Sequence, residues 1–167
     1  ARNHRVDLWV VEASSRGPFA EASRIPGDSR EAIARLAGVT EAGSVTYQSV
    51  EAEHLSRKVR LYVIGFEPGR PGGPDRIARG RMIAQSHFEM VADRGTGLSL
   101  GDRIKLGRTT FSVVGLTEDQ VASSGDPVAF ITLLDAQKLQ FDLAPPASRV
   151  QTARGTSGAS KDTVNAV

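Results

Sequence analysis

From Arg57 to Glu67 apolar side chains fall on both faces of a two-residue repeat: Val59, Leu61 and Val63 share one face, and Tyr62, Ile64 and Phe66 the other. That pattern predicts a strand covered on both sides. Val39 to Leu55 predicts a preceding strand, with the reversal near Ser56. Upstream, "RVDLWVVE" (Arg5 to Glu12) is rich in β-branched and aromatic residues and reads as the first strand. Asp28 opens a short helix, with Glu31 completing a capping box, Ile33, Leu36 and Ala37 along one face and Gly38 as the stop. Pro68 to Pro74 is a loop by composition.

The run "GLSLGDRIKLGRTTFSVVGLT" (Gly97 to Thr117) can be threaded by register. With Gly107 and Arg108 as a two-residue turn, Leu106 faces Thr109, Lys105 faces Thr110, Ile104 faces Phe111 and Arg103 faces Ser112. Ile104, Leu106, Phe111 and Val113 then line one face, while Arg103, Lys105, Thr110 and Ser112 line the other. Val114 and Leu116 continue on the polar face, so the strand is expected to run beneath another element there. "FEMVADR" (Phe88 to Arg94) reads as a strand entering this hairpin, and "PVAFI" (Pro127 to Ile131) as a short buried strand. Thr132 with Asp135 caps a helix through "LLDAQKLQF". Beyond it the chain is small, polar and proline-rich, a linker by composition, until "TVNAV" (Thr163 to Val167). There is no internal repeat.

Composition narrows the function classes. A chain of 167 residues suffices for one domain with a real core, or for two small lobes. Its formal charge of +2 comes from 21 basic and 19 acidic residues spread along the chain, which argues against a nucleic-acid surface. With no cysteine there are no disulfides, thiolate metal sites or Cys nucleophiles. No apolar run approaches the roughly 20 residues of a membrane span, and no signal peptide is evident. The chain begins at Ala1, as expected of a processed or excised segment.

Candidate chemistry is sparse. "GTGLSLG" lacks the spacing of a dinucleotide loop, and "GTSGASKD" lacks the Gly-Lys-Ser/Thr ending of a phosphate loop. His4, His54 and His87 have no partner at metal-ligand spacing. Ser86, His87 and Glu89 or Asp93 contain the parts of a nucleophile relay but no G-x-S-x-G elbow. Asp93, Asp102, Asp119 and Asp126 each sit beside a turn residue, where Asp bonds the backbone. The rival reading is a soluble enzyme whose small β-barrel brings Asp93 and Asp102 together in a pocket; another is a free-standing binding module. Pro18 and Phe19 in one loop, with Arg70 and Pro71 in another, are the candidate partner contacts; the alternative for Phe19 is a loop folded onto its own core.

Taken in order, "VDLWVVE", "IARLAGVTEAGSV", "LYVIGFEPG", "GRMI", "EMVADR", "LSLGDRIKLGRTTFSVVGLT" and "PVAFITLLDAQKL" resemble the extracytoplasmic domain of MacB/FtsX-type ABC transporter permeases, the DevC-like branch in particular. The resemblance covers about Val6 to Leu139. It implies an α/β (α+β, β-rich) fold: a porter-like lobe beginning in residues 1–80, a mostly-β lobe inserted at 81–145, a linker at 146–162, and in 163–167 the start of a strand returning to a first lobe that is otherwise incomplete. It implies a membrane protein with this domain on the periplasmic or extracellular side. The implied partners are a cytoplasmic ATPase, a periplasmic adaptor and a second permease copy. It implies no catalytic residue, cofactor or metal.

Overall fold

A computed structural model describes residues 6–13, 25–145 and 163–167. In chain order the elements are β1 (Ile25–Pro26), α1 (Ser29–Ala34), β2 (Val45–His54), β3 (Arg57–Phe66), β4 (Arg79–Gly80), β5 (Glu89–Asp93), β6 (Arg103–Leu106), β7 (Thr109–Thr117), β8 (Val128–Thr132), α2 (Leu133–Leu143) and β9 (Thr163–Val164). Seven strands form one mixed sheet in the order β2-β3-β8-β5-β7-β4, with β6 attached to β7. Strands from both expected lobes enter it. β1 and β9 pair separately.

The alternation at 57–67 is used as read. Leu61 and Val63 enter a core that also holds Met90, Ile104, Leu106, Phe111, Ile131 and Leu139, with Val59 packed against it. Ile64 and Phe66 enter a second core with Val45, Val91 and Phe130, against which Trp9, Val11 and Tyr62 pack. The turn between β2 and β3 is Leu55–Ser56, with φ of 49° and 61°. Two left-handed residues in succession match the twist of a hairpin, although neither is the glycine or asparagine usually found there. The β6–β7 hairpin has the threaded register at all four pairs, turning at Gly107 with φ of 59°.

Four expectations need correction. "RVDLWVVE" forms no strand over its described residues; Val10 exchanges backbone hydrogen bonds with Val167 (2.7 and 3.0 Å), and the Trp9 and Val11 side chains pack on the second core. The upstream strand starts at Val45 rather than Val39. The first helix is only six residues long and its capping box does not form. Asp28 has helical backbone (φ −80°, ψ −7°), which aims its carboxylate away from the N–H groups it was to cap, and Glu31 pairs with Arg30 instead. No residue of that helix is buried, and Leu36 is 60% exposed. Finally, Leu116 does not share Val114's face. The β5–β7 register shifts between Met90 and Val91, pairing Val113 with Met90 but Gly115 with Val91. Val114 is the extra residue, and this bulge returns Leu116 to the first core.

Strand directions give the sheet two unlike ends. β8 runs parallel to β3, β5 antiparallel to β8, and β7 parallel to β5. The Leu55–Ser56 turn therefore shares an end with the 94–102 and 118–127 loops. Side-chain pairs tie these together: His54 Nε2 lies 3.2 Å from Asp102, Arg60 Nε lies 3.9 Å from Asp126, and Arg94 pairs with Glu118. At the other end, Val45 bridges Ala166, α2 begins after β8, and residues 6–10 meet Val167.

Candidate functional site

Three of the four carboxylates suspected of chemistry are held by hydrogen-bond donors of nearby turns. Asp93 is 2% exposed and accepts from the N–H groups of Gly95 (2.8 Å) and Gln120 (2.9 Å) and from the Thr117 hydroxyl (3.2 Å). Asp102 accepts from the Ser99 N–H at 2.9 Å, and Asp126 from the Ser124 hydroxyl at 2.9 Å. Asp119 sits in a turn with φ of 60°. Asp93, Asp102 and Asp126 thus brace turns at one end of the sheet. Asp93 and Asp102 serve separate turns and share no partner.

The two described histidines, His54 and His87, likewise have partners. His87 donates its backbone N–H to the buried Asp135 (3.0 Å), and its Nδ1 lies 3.1 Å from the same carboxylate. That partner explains Asp135: Thr132 caps α2 by accepting its N–H at 3.3 Å, but the Asp135 carboxylate turns to the His87 loop rather than back to Thr132. Glu89 faces Arg81, not His87. It is 6% exposed, forms a two-pronged ion pair with Arg81, and accepts from the N–H of Ala84 (2.9 Å) and of Gln85 (3.4 Å). Chiefly the Arg81 guanidinium, with help from those N–H groups, lowers the Glu89 carboxyl to about 2. A depressed folded-state pKa contributes stability that is fully present above the ordinary value near 4.5 and is lost as pH falls toward 2. Glu89→Gln should cost about 2 kcal/mol in denaturant melts at pH 7 and flatten the stability loss between pH 4.5 and 2; an unchanged acid limb would mean the pair is immaterial. Among the described residues no three metal-ligating side chains cluster.

Of the expected partner contacts, Pro18 and Phe19 lie outside the described residues, as do His4 and the linker. Arg70 donates to the Ala42 carbonyl at 3.3 Å and lies 4.0 Å from Glu67. The Pro71 carbonyl lies against Gly43, where a Cβ would approach it to 2.2 Å. Both residues thus clamp the 38–43 segment onto the body of the sheet. This segment and residues 6–10 form the walls of a cleft of about 240 Å³, with Pro71, Gly72 and Val167 also lining it. Ile33, Val39 and Val167 belong to a small third core beside it, with Ile25, Ala42 and Val164. The cleft was not legible in the sequence, because its walls lie about 30 residues apart and its floor is the far end of the chain; the one local signal was Trp9, the single tryptophan.

No family model matches the chain. Two uncharacterized ABC transporter permeases of Mycobacterium tuberculosis are similar to it: one is 28% identical over 146 residues, covering 87% of this chain and 41% of the relative, and the other 27% over 140 residues, covering 84% and 40%. The chain thus spans about two-fifths of the length of these relatives. Among solved structures, the extracellular domain of the noncanonic ABC-type transporter YknZ from Gram-positive bacteria superposes with a TM-score of 0.57 at 12% identity, over 95% of this chain and 79% of that one. The periplasmic region of MacB from Actinobacillus actinomycetemcomitans gives 0.55 at 12% identity, over 95% and 71%. The fold is that of a MacB/FtsX-type extracytoplasmic permease domain. In this fold the end that gathers residues 6–10, β9 and the cleft is opposite the end formed by the Leu55 hairpin and its paired loops. No helix among the described residues is long and apolar enough to cross a membrane.

Proposed function

We propose that the chain is the extracytoplasmic part of an ABC transporter permease, which couples ATP hydrolysis by a cytoplasmic ATPase subunit to export or extraction of a substrate through conformational change and contact with a periplasmic adaptor. The observation that carries this reading is the joint likeness: sequence similarity to ABC permeases along 87% of the chain, and the fold of MacB and YknZ outer domains. The fate of the polar groups agrees with it. Asp93, Asp102 and Asp126 brace turns, and Glu89 and Asp135 lock loops, so these five carboxylates serve rigidity. A rigid body suits a part that transmits force between a membrane motor and an outer partner. Within this reading the permease pairs with a second copy of itself.

The test is coupling in the full-length permease. Deleting residues 45–132 should leave co-purification with the ATPase subunit intact while abolishing ATP-dependent export. Export at the level of the intact permease would refute a coupling role for the domain.

A further inference from the structure

The cleft beside the third core has a composition that specifies a ligand. Its walls present Trp9, Val10, Ile33 and Val39, and Val167 forms part of its lining. The titratable side chains among its described lining residues are Asp7 and Glu41, one from each wall, both exposed carboxylates; no cation is among them. At about 240 Å³ it lies below the range of roughly 300–1,000 Å³ that encloses a drug-sized molecule, so it takes the apolar part of a ligand and leaves a head group at the mouth. Carboxylates at a mouth attract a cation, and an indole adds cation–π attraction while offering apolar area to the chain behind it.

We propose that this cleft binds a cationic amphiphile: a short apolar chain lies along Trp9, Ile33 and Val39, and an ammonium head group sits between Asp7 and Glu41. An anionic amphiphile of the same length meets the same walls but is repelled at the mouth, and a neutral one lacks the head-group contact. Treating this ligand as transported cargo rests on the permease reading; the binding does not.

Trp9 is the chain's single tryptophan, so its fluorescence reports the cleft directly. Titrating the 167-residue chain with dodecyltrimethylammonium below its micelle concentration should shift and saturate the Trp9 emission. Dodecyl maltoside and dodecyl sulfate should bind at least about fivefold more weakly, the worth of roughly one head-group ion pair. Glu41→Gln and Asp7→Asn, at exposed positions that leave the fold intact, should each weaken the cationic probe about fivefold without changing the response to dodecyl maltoside. An emission that does not respond, equal affinity for all three head groups, or indifference to both substitutions would overturn the proposal. None of those results bears on whether the domain lies outside the membrane, and a domain found inside the cell that still binds the probe would sink the permease reading alone.

Discussion

Phe111→Ala should lower the stability of the domain by about 3–5 kcal/mol, the cost of emptying a phenyl-sized volume in a close-packed core. Phe111 is 1% exposed, faces Ile104 across the β6–β7 ladder and meets the Phe88 ring edge-on at 5.7 Å. Phe88 in turn lies under the Lys138 ammonium, 4.9 Å from the ring centroid, so the cavity would also loosen the seat of α2. For a chain of this size the loss corresponds to a fall in melting temperature on the order of 10 °C. Phe111→Leu, which keeps most of the apolar volume, should cost less than half as much. Thermal and urea melts decide the matter; a loss below about 1 kcal/mol would mean that Phe111 is not the centre of the core.

Gly65→Ala should be nearly as damaging for the opposite reason. A Cβ at Gly65 would lie 2.3 Å from the Ala136 Cβ and 2.5 Å from the Thr46 hydroxyl oxygen, so α2 would have to lift off β3. Overpacking of this kind costs about 1–3 kcal/mol, and the upper part of that range is expected because Ala136 is fixed to a helix. Ala136→Gly removes the clash with α2, though not that with Thr46, at its own cost of about 1 kcal/mol for glycine in a helix, so the double variant should be more stable than the two single losses predict. Strict additivity would show that Gly65 and Ala136 do not touch. Gly69→Ala, where a Cβ meets open space, serves as the control that feels only its left-handed backbone (φ 82°).

The fold was legible wherever neighbouring residues decide it. Ile104, Leu106, Phe111 and Val113 can face inward together in only one register, and Gly107 supplies the turn, so the hairpin could be threaded pair by pair. The α2 start was legible from Thr132 because an extended backbone there (φ −69°, ψ 154°) lets its hydroxyl reach Asp135. Asp28 carries the same kind of signal with helical backbone, and a sequence does not record that difference. Leu116 was misplaced because its face depends on a bulge opposite Met90 and Val91, which is a property of strand pairing. Of the site, the turn-bracing role of Asp93, Asp102 and Asp126 followed from their neighbours. The pairing of Glu89 with Arg81 and of Asp135 with His87 did not, since each requires loops brought together by the sheet.

The central claim is that this domain stands outside the membrane as part of a permease, and the absence of cysteine from the chain makes it directly testable. Leu55, 84% exposed at the tip of the β2–β3 hairpin, is the position to mark. In full-length permease carrying Leu55→Cys, a membrane-impermeant maleimide should label intact cells to the same extent as permeabilised ones, with no label at this site in the unsubstituted protein. Labelling that appears only after permeabilisation would place the domain in the cytoplasm and contradict the account.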